Sequence, residues 1–585
     1  MQQPSRLFEI PYYQLEKYPN EKMFVTKVDG NWHPTSTSDF LKEIKLMSKG
    51  LINLNIEPGD RIGLVSHNRI EWNIIDIATQ QIGAILVPLY PNISESDYKY
   101  ILNDAKVKFC FVGSEELAFK IKNIKNEIPS LIEIYSFDEL ENISHWKTIQ
   151  KNSETIEDQE IENRKTAIKS EDLATIIYTS GTTGNPKGVM LSHSNLLSNV
   201  FACIEPIPAD EYSRVLTFLP VCHVYERMLH YLYMYLGCSI HFAESMETIG
   251  ENIREVKPHV FTAVPRLIEK VYDRIIAKGE ELKGVKRKLF FWAVSIAEDY
   301  ESTGKGLTYQ LKLALARKLI FSKWKDALGG EVRAIASGSA ALQPRLARIF
   351  LAAGIPILEG YGLTETSPVV TVNNFKNGIR IGSVGNLIDN VQVKIAVDGE
   401  ILVKGPNVMM GYYNLPDETA EVINEDGWFC TGDIGRFENN YLIITDRKKE
   451  IFKTSGGKYI VPQMIENKLK ASRYIEQVMV IGEGEKFPAA FLVPNFTAIK
   501  DWLTNNGYSA NFSSNELINN EYLKGLFQGE VDQINKELGN WEQIKKFVIL
   551  PKEFTVEGDE LTPTLKLKRK KILAKYITEY KEIYN

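Results

Sequence analysis

Leu173, Ala174, Ile176 and Ile177 run straight into Tyr178-Thr-Ser-Gly-Thr-Thr-Gly-Asn-Pro-Lys-Gly-Val189. A short apolar run that breaks into glycines and hydroxyls reads as a buried strand opening into a functional loop. Gly181 and Gly184 allow positive φ and close approach of the backbone to a ligand. Thr179, Ser180, Thr182 and Thr183 offer hydroxyl donors and Lys187 offers a charge, so the loop has the makings of a phosphate cradle. It departs from the Walker pattern, with Pro186 at the position of the second glycine and Gly188 at that of the Ser/Thr. A plain surface turn explains the glycines but not four hydroxyls and a lysine set among them.

The surrounding chain alternates strand and helix, as an α/β fold does. Arg61–Ser66, Ala84–Leu89 and Val107–Val112 read as strands, Glu71–Ile82 and Asp97–Ala105 as helices. Val215–Leu219, His259–Val264 and Val332–Ala336 read as further short strands, with a helix-rich excursion over 267–328. Residues 150–171 are polar without apolar periodicity and read as a surface connection. From about 380 the texture becomes β-rich. Hairpins are expected at Asp398-Gly399 and at Asn439-Asn440. A boundary near Asp446 gives two domains, 1–445 and 446–585: a large α/β domain of several subdomains and a small α+β one.

Composition narrows the function classes. A net charge of −6 over 585 residues offers no basic stripe for nucleic acid. The five cysteines never form a C-x-x-C pair, which argues against zinc or a disulfide frame and for a reducing compartment. The polar stretch 1–23 is unlike a signal peptide. The apolar run Met228–Ala243 is too short to span a bilayer and reads as a core helix followed by a strand. A cytoplasmic protein is expected.

A second segment, Glu359-Gly-Tyr-Gly-Leu-Thr-Glu-Thr366, follows the apolar run Ile355–Leu358. It has the arrangement of a strand-end loop in an α/β nucleotide site. Tyr361 can stack on a purine, Thr364 can donate to a phosphate, and Glu365 can hold Mg²⁺ together with nucleotide phosphates. Thr431-Gly-Asp433, Asp446-Arg-Lys-Lys-Glu450 and Thr564-Leu-Lys566 mean little separately; each has a bland reading as a turn, a solvated charge run or a basic helix start.

In this order the set resembles the adenylate-forming superfamily of acyl-CoA synthetases, peptide-synthetase adenylation domains and luciferases. The resemblance covers about 66–568. It implies that Thr179, Ser180, Gly181, Thr182, Thr183, Gly184 and Lys187 hold the ATP phosphates, and that Ser339 and Ala340 lie by the adenine and acyl carboxylate. It implies that Tyr361 and Gly362 border the adenine, that Thr364 meets the α-phosphate and that Glu365 binds Mg²⁺. Asp433 and Arg447 are implied at the ribose, Lys449 at the hinge, and Gly456 and Gly457 along the CoA thiol tunnel. Lys566 is implied as the adenylation lysine; Leu565 stands where many members carry Gly, and Lys568 is the alternative. His223 matches a histidine at the acyl pocket, although a lone histidine is more often a core residue.

Ser66–Trp72, His223–Arg227, Glu359–Val369 and the helical excursion look most like the long-chain fatty acyl-CoA synthetases. The reaction so implied activates a fatty acid with Mg·ATP to acyl-AMP and pyrophosphate, then passes the acyl group to CoA. The alternatives are a ligase that loads an acyl carrier protein and a non-catalytic nucleotide- or lipid-binding scaffold. Glu365, Asp433, Arg447 and Lys566 argue against the last. Finally, basic residues interleave with Phe290, Phe291, Trp292, Phe321 and Trp324 between 278 and 325. That pattern fits either peripheral contact with an anionic membrane or an internally packed helical pair with solvated lysines.

Overall fold

The computed structural model describes every residue except Met1, 180–184, Thr303, 509–512, 514–515, 517–519 and 563–564. The chain forms two compact units. The larger comprises Met1–Val393, Val403–Cys430 and Asn439–Leu442. The smaller comprises Lys394–Leu402, Thr431–Glu438 and Ile443–Asn585, and so takes in two segments that precede Asp446.

The larger unit is α/β, built on two mixed sheets. One has the order Asn386–Leu387, Val369–Val372, Ile357–Gly362, Ala334–Ser337, Val260–Ala263, Arg214–Thr217, Ser239–Phe242, Phe24–Val28, Asn31–Thr35. Its middle pairs are parallel and its margins antiparallel. The second runs Gly411–Tyr412, Lys187–Ser192, Leu173–Thr179, Ile85–Leu89, Arg61–Val65, Phe109–Val112, Glu133–Ser136, Ser144–His145. Ile85–Leu89 and Phe109–Val112 are buried at every position, which is why they read as continuous apolar runs and not as alternating ones.

Helix Val224–Leu236 ties the sheets together. Arg227 and Asp76 form a buried ion pair at 2.5 Å, and Arg227 also donates to Thr175 Oγ1 at 2.7 Å in the second sheet. At the preceding residue, Thr217 and Thr262 of the first sheet donate to the buried Glu226 carboxylate at 2.5 and 2.6 Å. Burial pushes the Glu226 carboxyl up to about 7, and it holds the imidazole of buried His230 down at about 3. The helix ends at Gly237, whose φ of +80° makes a left-handed cap.

Two readings are refined by the structure. The surface connection over 150–171 carries helices: a 3-10 helix covers Trp146–Thr155 and an α-helix covers Asp158–Ala167. Ile161 is the one buried residue of that α-helix, so it has no apolar face to detect. The aromatics of the helical excursion do not face outward with the lysines. Phe290, Phe321 and Trp324 are buried in the core beside Leu313, Ile320 and Phe350, with Phe291 and Trp292 packed against it.

The smaller unit is α+β. Its three-stranded sheet runs Ile475–Ile481, Ala489–Pro494, Lys546–Ile549 and is covered by helices that include Pro462–Leu469 and Glu521–Asn535. The expected hairpin turn at Asn439-Asn440 has both residues at positive φ, 49° and 67°.

Candidate functional site

In the larger unit the candidate residues gather where strands give way to loops. Leu173–Thr179 and Lys187–Ser192 pair antiparallel, with Thr179 opposite Lys187. Ser180, Gly181, Thr182, Thr183 and Gly184 lie outside the described residues, but the two ends of the loop are fixed. On the far edge of the same hairpin lies Gly411–Tyr412, with Tyr412 opposite Val189. Lys187 places its ammonium 5.0 Å from the centre of the Tyr412 ring. The Tyr412 hydroxyl in turn donates to Glu365 Oε1 at 3.0 Å. The Met409 amide donates to the Glu365 carbonyl at 2.9 Å, which holds that residue's backbone. Burial and the neighbouring Glu365 carboxylate push the Tyr412 phenol well above its ordinary value, so it stays a donor.

Glu365 sits on the 3-10 turn Thr364–Thr366, directly after strand Ile357–Gly362. The turn is tightly cross-braced. Thr366 Oγ1 donates to the Pro368 carbonyl at 2.5 Å and accepts from the Leu363 amide at 2.9 Å. Gly362 is required here: a β-carbon on it would lie 1.8 Å from the Pro368 carbonyl oxygen. Thr364 is buried beside the half-buried Glu365.

Strand Ala334–Ser337 runs parallel to this one, with Ser337 opposite Glu359. Ser339 and Ala340 therefore leave one strand end, while the expected loop at Gly360 and Tyr361 is instead the last part of the neighbouring strand, paired with Val369–Val372, at the carboxyl edge where α/β sheets bind ligands. Ser339 is held at φ +71°. Glu359 is buried, its carboxyl pushed up by burial to about 8, and it accepts from the Leu342 amide at 3.3 Å. His223 joins from the loop after strand Arg214–Thr217, which lies beyond Val260–Ala263 in the same sheet. It caps helix Val224–Leu236, with Nδ1 accepting from the Tyr225 amide at 3.2 Å. The Tyr225 ring passes 3.7 Å from where a Gly338 side chain would begin.

Among the described residues no three His, Cys, Asp or Glu side chains form a metal cage. Glu365 is an oxygen donor next to a lysine-bearing loop, which suits an ion that binds one carboxylate together with nucleotide phosphates.

The smaller unit brings a second set together. Arg447 Nε lies 3.4 Å from Asp433 Oδ1. Thr431 Oγ1 donates to the Ile401 carbonyl at 2.8 Å and accepts from the Asp433 amide at 3.1 Å. Gly432, at φ +73°, directs its amide to Glu400 Oε1 at 2.9 Å. Lys448 is held by Asp398 and Glu400 at 2.6 and 2.7 Å, and these raise its pKa well above the ordinary value. Lys449 is exposed in the turn after strand Tyr441–Arg447. Gly456 and Gly457 lie in the exposed turn between Phe452–Lys453 and Tyr459–Ile460, with Gly457 at φ +74°.

The Lys566 amide donates to Thr562 Oγ1 at 3.0 Å. Leu565 is held at φ +62°, a conformation that favours glycine and accounts for the glycine common at this position in the resembling family. Lys568 is ion-paired with Asp559 at 2.5 Å. Thr564 lies outside the described residues.

Tyr412 is the residue that sequence reading missed. Its only local mark is the pair of tyrosines in Gly411-Tyr-Tyr413, and its partner Glu365 is 47 positions away.

Residues 12–413 match the family model of AMP-binding enzymes, and 449–585 match the AMP-binding enzyme C-terminal domain. The chain belongs to the AMP-binding enzyme family. Among its relatives is a long-chain-fatty-acid–CoA ligase, FadD15, of Mycobacterium bovis, 34% identical across 97% of this chain and 95% of that one. Another is the long-chain-fatty-acid–CoA ligase ACSBG2 of Xenopus laevis, 30% identical across 99% and 84%. The fold is also that of the adenylation domain of a carboxylate reductase from Mycobacterium chelonae, with TM-score 0.78, 21% identity and coverage of 100% and 92%.

Proposed function

We propose that this protein is an AMP-forming ligase that joins a long-chain fatty acid to CoA. In the first step a fatty-acid carboxylate oxygen attacks the α-phosphorus of ATP and pyrophosphate leaves. In the second the CoA sulfur attacks the acyl carbon and AMP leaves. The observation that carries the reading is the junction of Lys187, Tyr412 and Glu365, which joins the phosphate-loop hairpin to the acidic turn.

In this reading the loop from Thr179 to Lys187 holds the phosphates, and Thr364 donates to the α-phosphate. Ser339, Ala340, Tyr361 and Gly362 border the adenine, and His223 borders the acyl group. Asp433, steadied by Arg447, takes the ribose hydroxyls. Glu365 holds Mg²⁺, which when bound neutralises phosphate charge. Lys566 serves the first step through its charge. Gly456 and Gly457 admit the CoA thiol, and Lys449 is the hinge residue of a junction near Asp446. Both relatives above are named as long-chain-fatty-acid–CoA ligases, and burying each further methylene contributes about 0.8 kcal/mol.

Fatty-acid-dependent pyrophosphate release, with and without CoA, is the test. A C2–C20 series below micelle formation should peak between about C12 and C18 and yield acyl-CoA. A peak at C8 or shorter would overturn the long-chain reading, and release without any thioester would favour an acyl-AMP ligase for a carrier protein. Among the described residues no helix is long and apolar enough to cross a membrane. We further propose that the protein works in the cytoplasm, touching the inner membrane face peripherally.

A further inference from the structure

Helix Leu307–Ala316 continues through a π turn, Arg317–Phe321, into helix Ser322–Ala327. Its inner side is buried: Leu313, Ala316, Ile320, Phe321 and Trp324 belong to the core. Its outer side is also apolar. Leu307, Leu311, Leu315 and Leu319 are 84, 71, 48 and 38% exposed. They recur every four residues, so they form one stripe along about 18 Å of helix. Isolated exposed leucines are ordinary; four in register on one face are not.

The charge along this stretch of the chain is one-sided, with acids only beyond its two ends. From Lys305 to Lys325 the chain carries Lys305, Lys312, Arg317, Lys318, Lys323 and Lys325 and no acidic residue, although the whole protein has a net charge of −6. Lys312, Lys318 and Lys323 are exposed beside the leucines. An apolar stripe among cations on a helix that lies along the surface is complementary to an anionic bilayer, where leucines enter the acyl boundary and ammonium groups meet phosphates.

We propose that this face, centred on Leu311 and Leu315, is the surface by which the protein docks on an anionic lipid bilayer. The inference rests on the peripheral-membrane reading above and names the element responsible. It replaces the aromatic side chains of the sequence reading with leucines that the core leaves outside. A fatty acid held in a bilayer would then reach the enzyme by lateral diffusion.

The test is flotation of the full chain with vesicles of phosphatidylglycerol and phosphatidylcholine, or phosphatidylcholine alone, at low salt. Wild type should float with the anionic vesicles and dissociate as salt screens the lysines. The pair Leu311→Asp/Leu315→Asp should lower the bound fraction at least 10-fold, and Lys312→Glu/Lys318→Glu should do the same. Leu311→Gln/Leu315→Gln, milder in the unbound state, repeats the test should the aspartates impair folding. All these variants should keep the wild-type pyrophosphate-release rate with acid supplied in solution, which separates loss of docking from loss of the ligase. Wild type that floats while the leucine variants float equally would overturn this surface and leave the membrane reading intact. Wild type that stays in the pellet would end both. Concentration-dependent dimerisation lost in the leucine variants, without vesicle binding, would assign the stripe to a second copy and overturn the proposal.

Discussion

Tyr412 shows how a single hydroxyl can couple two motifs. Its phenol is kept protonated by burial and by the carboxylate it serves, so its one proton goes to Glu365. Removing a hydrogen bond to a charged group costs about 1.5–3 kcal/mol. Tyr412→Phe should therefore lower kcat/KM for pyrophosphate release by roughly 10-fold or more and raise the Mg²⁺ concentration needed for half-maximal rate. A magnesium titration of the release assay reads both, and an unchanged requirement would detach Glu365 from the metal. The two lysines near the C-terminus differ at the same scale. Lys568 is committed to Asp559, whereas Lys566 follows a left-handed Leu565 and its amide donates to Thr562. Lys566→Ala should cut acyl-AMP formation by about 10²–10³ while supplied acyl-AMP is still converted with CoA. The comparison is made by assaying the two half-reactions separately, with Lys568→Ala as the control that should behave differently.

Among the elements, helix Val224–Leu236 has a pH dependence of its own. Glu226 titrates at about 7 in the fold against an ordinary value of 4.5. The folded state therefore binds the extra proton between those values, and the Glu226 contribution to stability is fully present below 4.5 and lost as pH rises through 7. His230 has the opposite sign: held at about 3 against 6.5, it costs stability as pH falls below 6.5. Glu226→Gln keeps an acceptor for one threonine and cannot ionise. Its thermal midpoint relative to wild type should rise between pH 5 and pH 8, as chemical or thermal melts across that range would show. Elements also differ in how far the sequence revealed them. The end of strand Leu173–Thr179 was legible because glycines and hydroxyls break an apolar run abruptly, whereas strand Ile357–Gly362 continues past Gly360, paired with Val369–Val372. Asp158–Ala167 was not legible, since a helix with one buried residue leaves no periodic trace. In Leu307–Ala316 apolar residues lie on both sides, so the pattern matched a buried helix and concealed the outward stripe.

At the scale of the whole chain, the α/β and α+β division was legible from the change in texture, while the membership of each unit was not. Lys394–Leu402 and Thr431–Glu438 belong with the residues after Ile443, because Lys448 is paired with Asp398 and Glu400 and Arg447 faces Asp433. Those partners are 50, 48 and 14 positions apart in sequence, beyond any local pattern. The interleaving bears on how such chains can be recombined. A chimaera joined at Asp446 would strip Lys448 and Arg447 of their native carboxylates. One joined before Lys394 would carry off Val403–Cys430, and Tyr412 with it, from the larger unit. No single crossover between those two points leaves both units whole, so exchange of the C-terminal module between relatives succeeds only where donor and recipient share the carboxylates that pair with Arg447 and Lys448.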